Sequence, residues 1–212
     1  MNQSIALLCL TLASPSIGAA QSLSVADLQK HIDAEVRKEN DNEYIALLND
    51  PDPKRAQAAM KVMMASGDKE LRRMAIEFGL YSADPKIQRQ AILGVLDAKP
   101  NLTVFIDGSK QEAGSIPARN FQTRVGNKRG SIDEQGIARV NYAVGSFDEK
   151  QGCYIDGDTH KKCLIVLSGG GITANLLQGS FDLTLNDQGE LAGVGGFPYV
   201  DAPIGVRVRL LD

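Results

Sequence analysis

The sequence predicts an α+β protein, with a helical segment over residues 21–100 followed by an antiparallel β-sandwich or small barrel of about eight strands over 101–212. Three observations carry this. Glycine is divided unequally, with three residues between 21 and 100 and seventeen between 101 and 212; helices exclude glycine from their interiors, whereas turns and bulges use it. Apolar residues recur at helical spacing in the first part and alternate with polar ones in the second. Capping and turn residues separate the patterned stretches in both parts.

Residues 1–20 precede this pattern and read as a secretory signal. Ile5 to Leu12 is a short apolar run, far below the roughly 20 apolar residues of a membrane-spanning helix. Gly18 and Ala20 are small residues at the −3 and −1 positions of a cleavage site between Ala20 and Gln21. Leu8 stands before Cys9 where lipidation would want a small residue. No later stretch is apolar enough to span a membrane.

The helices follow in order. Ser24 caps a first one, with Val25, Leu28, Ile32 and Val36 at helical spacing. Tyr44 to Leu48 is a short second one. Asp52-Pro53 supplies a cap and a proline in the first turn of a third, which ends before Gly67. Asp68 caps a fourth, carrying Leu71, Ala75, Phe78 and Leu80. Asp84-Pro85 opens the last, with Ile87, Ala91, Ile92, Val95 and Leu96 on its apolar stripe. In the second part, Leu102–Ile106, Phe121–Val125, Ala138–Val144, Leu164–Leu167, Phe181–Leu185, a return strand from Leu191 and Val206–Leu210 read as strands. The continuously apolar Leu164–Leu167 suits a strand covered on both faces.

Asp52-Pro53-Lys54 returns 32 residues later as Asp84-Pro85-Lys86, and Ala59, Met60, Met63 and Met64 then align with Ala91, Ile92, Val95 and Leu96. Over residues 50–98 this resembles a HEAT-like helical repeat. The resemblance implies a protein-binding surface and no chemistry. A compact helical cap on the β part fits the same pattern. No family is recognised for the glycine-rich half.

Residues 21–100 hold 12 basic and 13 acidic residues, and residues 101–212 hold 11 and 13. Neither is a basic surface of the kind that binds nucleic acid. Cys153 and Cys163 are the only cysteines after residue 20. An even pair in an exported chain predicts a disulfide, stabilising by about 3 kcal/mol on the chain-entropy model.

The loop between them holds Asp156, Asp158 and His160. In an extended chain these share one side and could hold a divalent cation. The Asp-Gly turn and the following Lys161-Lys162 favour a plain turn instead. Ser168-Gly169-Gly170-Gly171 lacks the lysine and helix of a phosphate loop and reads as a turn. Met60, Met63 and Met64 read as core. Phe197 and Tyr199, in a Gly/Pro loop, are the best exposed-aromatic patch for recognition. Only His31 and His160 are available as bases, so nucleophilic catalysis is hard to build.

These features point to an exported, non-catalytic protein that binds another macromolecule, most simply a protein, without a cofactor. A metal-binding module or hydrolase using Asp156–His160 is the alternative. The mature N-terminus is expected at Gln21. Intact mass of the exported protein checks this, and a mass that retains Met1–Ala20 would remove the basis for export.

Overall fold

The computed structural model describes residues 30, 43–128, 130–158, 162–169, 171–198, 200 and 202–211. Residues Glu43–Asp212 form one compact unit. The predicted signal and the helix capped by Ser24 lie outside the described residues, apart from Lys30.

Helical residues 43–48 (α1) are followed by α2 (Pro53–Ala65), α3 (Lys69–Leu80) and α4 (Pro85–Asp97). All three longer helices start as their sequence dictates. The carboxylates of Asp52, Asp68 and Asp84 accept backbone N–H bonds from Lys54, from Glu70 and Leu71, and from Lys86. This satisfies donors that the first turn leaves without partners. Proline follows the cap in α2 and α4. The helices stack in sequence, α2 on α3 and α3 on α4. A Cβ at Gly79 would lie 2.6 Å from the Ala91 Cβ, so this glycine sets how closely α3 meets α4.

The β part is β1 (Asn101–Asp107), β2 (Ser131–Ile132), β3 (Ile137–Asp148), β4 (Cys153–Asp156), β5 (Cys163–Ser168), β6 (Gly171–Leu176), β7 (Gly179–Leu185), β8 (Glu190–Gly196) and β9 (Ile204–Arg209). Each of β3 to β8 pairs antiparallel with the next, and β1 pairs with both β9 and β3. Of the sandwich and the barrel admitted by the sequence, the structure is the barrel: eight antiparallel strands close on themselves. β2 is a short addition to the edge of β3, opposite β1.

Alternation places Leu102, Val104 and Ile106, Ala138, Val140, Tyr142 and Val144, Phe181 and Leu183, and Val206 and Val208 in the interior, all nearly without solvent exposure. The interior is packed, as eight strands allow. β5 departs from the expected two-sided burial. Tyr154 pairs with Ile165 and Ile155 with Cys163, leaving Leu164 as an extra residue in a bulge. Leu164 and Ile165 are both buried, while Val166 and Leu167 are only half-buried. The apolar run thus reflects a bulge.

Phe121–Val125 is not a strand. It lies in α5 (Ile116–Asn127), whose cap Ser115 accepts the Ala118 N–H and whose first turn holds Pro117. Ala118, Phe121 and Val125 are the buried positions, at spacings of three and four. Alternation at 121, 123 and 125 was compatible with either element, and the Ser-x-Pro start decides for helix.

Strand direction sorts the connections between two ends of the barrel. At one end lie the helices: Tyr81 donates to the Gln188 carbonyl at 3.1 Å, Arg89 to the carbonyls of Ser168 and Leu167 at 2.9 and 3.1 Å, and Tyr154 to Asp97 at 2.6 Å. At the other end α5 covers the opening. Its Phe121 packs on Phe197 with centroids 6.0 Å apart. A Cβ at Gly108 would overlap the Phe121 ring. One buried cluster runs from Leu48 and Met60 in the helices through the barrel to Leu210.

Burial, opposed by the Leu177 N–H bond and reinforced by Asp156, raises the Tyr142 phenol above its usual range. Burial and then the hydrogen bond to Asp97 do the same for Tyr154. A group whose folded-state value is raised stabilises the fold at low pH, and that contribution begins to be lost once pH passes the ordinary phenol value of about 10. Ultraviolet titration should therefore leave at least two of the five tyrosines protonated in the native protein at a pH where all five ionise in denaturant. Simultaneous ionisation of all five in folded protein would contradict this burial.

Candidate functional site

Two of the concave regions among the described residues carry several basic side chains, one toward each end of the barrel. The first is built where α5 meets the end of β4, the start of β5 and the β6–β7 connection. It is a cleft of about 350 Å³ lined by Arg124, Asn127, Lys128, Asp156, Lys162, Cys163, Asn175, Leu177 and Gln178. The disulfide Cys153–Cys163, with Cα atoms 5.6 Å apart, ties β4 to β5 at its border, as the cysteine count predicts.

Asp156 is the buried acid here. Its pairing with Val144 puts its side chain among the interior positions. One carboxylate oxygen accepts the Asp158 N–H at 2.9 Å and the other accepts Lys128 Nζ at 2.8 Å. Lys128 Nζ also lies 3.5 Å from Asp158 and 4.8 Å from the centre of the Tyr142 ring. The Tyr142 hydroxyl accepts the Leu177 N–H at 2.8 Å. The Lys128 ammonium thus stands between the two carboxylates read from the sequence as cation ligands. His160, the third residue of that set, lies outside the described residues, as does His31. Among the described residues no group of three His, Cys, Asp or Glu side chains is placed to hold a metal ion.

The opposite wall is the turn Leu177-Gln178 between β6 and β7. Both residues have left-handed backbones, with φ of 48° and 70°. This is the primed hairpin geometry that asparagine and glycine usually supply, and a side chain there costs on the order of 1–2 kcal/mol per residue. Arg124 Nη1 compensates, donating to the Leu177 carbonyl at 3.0 Å and to Gln178 Oε1 at 2.7 Å. Asn175 closes the floor by donating to the Cys163 carbonyl at 3.2 Å.

The second region is a groove of about 590 Å³ in the helical cap, lined by Lys61, Met64, Ala65, Arg72, Lys86, Arg89, Gln90, Leu93, Gly94, Asp97 and Ala98. Met64 and Leu93 give it apolar surface. Four basic side chains face one acid. Arg72 is held by the Met64 carbonyl at 3.2 Å, and Gln57 donates to Gln90 at 3.1 Å across α2 and α4. Met60 and Met63 are buried core, as expected, and Met64 is half-buried.

Phe197 is not an exposed recognition aromatic. It is 5% exposed and lies against Phe181 and Phe121, because the cap of α5 covers its loop. Tyr199 lies outside the described residues. Ser168 ends β5 in a turn fastened to α4 by Arg89.

The residues that sequence reading missed are Arg124, Lys128, Asn175 and the Leu177-Gln178 turn. Arg124 and Lys128 are four apart, so reading 116–127 as helix would have put them on one side. The turn carries no local signal, since its residue types argue against its geometry.

No family model matches the chain, and no curated protein or solved structure matches it either.

Lys128→Met should destabilise the protein by about 3 kcal/mol, because it strands the Asp156 carboxylate in a buried position. Adding Asp156→Leu should restore most of the loss. Urea unfolding of the two variants measures both, and an equal loss in each would show that the ion pair does not govern this region.

Proposed function

We propose that this chain is an exported, non-catalytic protein that binds an acidic segment of a partner protein in the groove of its helical cap. The single observation that carries the reading is the composition of that groove. Lys61, Arg72, Lys86 and Arg89 surround an apolar strip of Met64, Leu93 and Ala98, with Asp97 the one acid in the lining. Asp97 is engaged with the Tyr154 hydroxyl. Charge complementarity selects an acidic occupant, and the strip rewards apolar side chains within it. A segment whose acidic and apolar residues alternate in helical fashion satisfies both.

The groove is also well supported. Arg89 is anchored to the β5–β6 turn and Arg72 to the end of α2, so little side-chain freedom is lost when an occupant arrives. Export is supported by the Cys153–Cys163 disulfide, which oxidising compartments favour, and by the apolar run and small residues of positions 5–20. No helix among the described residues is long and apolar enough to cross a membrane.

A fluorescein-labelled amphipathic peptide of Glu and Leu should bind the full mature chain in anisotropy measurements, and more weakly as salt rises. Its Lys-for-Glu counterpart should not. Lys61→Glu combined with Lys86→Glu should weaken the acidic peptide by at least about tenfold, since each reversal replaces attraction with repulsion of roughly 1 kcal/mol. Equal binding of the two peptides, or no effect of the double reversal in a normally folded protein, would sink the proposal.

A further inference from the structure

We infer that the cleft at the α5 end of the barrel is a second, separate binding site, selective for a small organic carboxylate with a compact apolar body. Its basis is independent of the helical groove and shares no residue with it.

Among the described residues, the lining holds three cationic side chains, Arg124, Lys128 and Lys162, against the single carboxylate of Asp156. That carboxylate has both oxygens engaged, one by the Asp158 N–H and one by Lys128. Asp158 is close to Lys128 but is not part of the lining. The cleft therefore carries a positive excess supplied chiefly by Arg124 and Lys162. The amides of Asn127 and Gln178 add polar groups.

Arg124 is suited to a carboxylate. Among the described residues, one guanidinium nitrogen, Nη1, makes both of its bonds, to the Leu177 carbonyl and to Gln178. The remaining N–H groups of the planar fork match the two oxygens of a carboxylate. Its anchoring also fixes the fork in place before any ligand arrives.

The apolar part of the ligand follows from the walls. Leu177, the disulfide-bonded Cys163 and the aliphatic stems of Arg124 and Lys128 surround the space. A volume of about 350 Å³ lies at the small end of ligand sites, which excludes a large ligand and admits a single ring or short branched chain. Leu177 and Gln178 hold consecutive left-handed backbones at φ of 48° and 70° without glycine. Strain retained beside a cleft is the pattern of ligand clamps. Arg124 holds this strained turn and faces the same space, so an occupant that engages Arg124 also acts on the turn.

The test is a calorimetric titration of the full mature protein with benzoate, with benzylamine as its cationic counterpart and with inorganic phosphate as an anion lacking an apolar body. Benzoate should bind saturably in the millimolar range, and benzylamine and phosphate at least about tenfold more weakly. Lys162→Gln should weaken benzoate several-fold. Arg124→Lys should weaken it further, although the charge is retained, because the paired N–H groups are lost. Melting temperature and near-ultraviolet circular dichroism establish that each variant is folded. Should Arg124→Lys fail to fold, Lys162→Gln and the ligand series decide. Absence of saturable benzoate binding, equal binding of benzylamine, phosphate binding as tight as benzoate, or unchanged affinity in a folded Lys162→Gln protein would each overturn the assignment.

Discussion

Closing an antiparallel sheet into a barrel requires its first and last strands to pair, and here β1, already paired with β3, takes β9 on its other edge. Residues 101–107 bind β3 along their full length on one side and β9 on the other. Closure removes the exposed edges that an open sheet would offer to other chains, but it creates two open ends. Every other feature of the compact unit answers to that. The three-residue connection between Asp97 and Asn101 brings the helices directly onto one end. The connection from β1 to β3 is long enough to hold α5, which covers the other.

The two covers are fastened by polar side chains rather than by apolar contact alone. On the helical side, Tyr81, Arg89 and the Asp97–Tyr154 pair reach backbone carbonyls or buried hydroxyls of the barrel. On the α5 side, Arg124 reaches the Leu177 carbonyl and Lys128 the Asp156 carboxylate, from positions one turn apart. The barrel interior is filled by side chains, and a concave region lies at each of these junctions. Arg89 in the helical groove and Arg124 and Lys128 in the α5-end cleft both fasten a cover and line a concavity.

The disulfide acts on the same junction. It joins β4 to β5 where the ladder is interrupted by the Leu164 bulge, and where a Lys128–Asp156 pair sits with little solvent around it. A bulge locally weakens strand pairing. A covalent tie beside it offsets that weakening in the strand pair that borders the α5-end cleft. The outer wall is quieter: Phe105 lies under Arg207 and Arg209, and both arginines are paired with Glu190.

Local patterns in the sequence determined the helix starts at Asp52, Asp68 and Asp84, the α+β class, most of the long strands and the cysteine pair, because each depends on residues within a few positions of one another. Closure was not legible, since neither end of β1 says that it will meet both Val140 and Val208. Nor was α5 distinguished from a strand, because Phe121, Thr123 and Val125 alternate as well as they spiral. The loop with Asp156 and Asp158 was marked as chemically notable, but the lysine that joins it comes from a helix 28 residues earlier in the chain. Phe197 looked exposed in its Gly/Pro loop and is core, since α5 folds over it. The sequence determined which segments could form and what charge they carried. The tertiary structure alone decided which charges meet, because contacts between distant segments are set by how the barrel closes and what its two ends must cover.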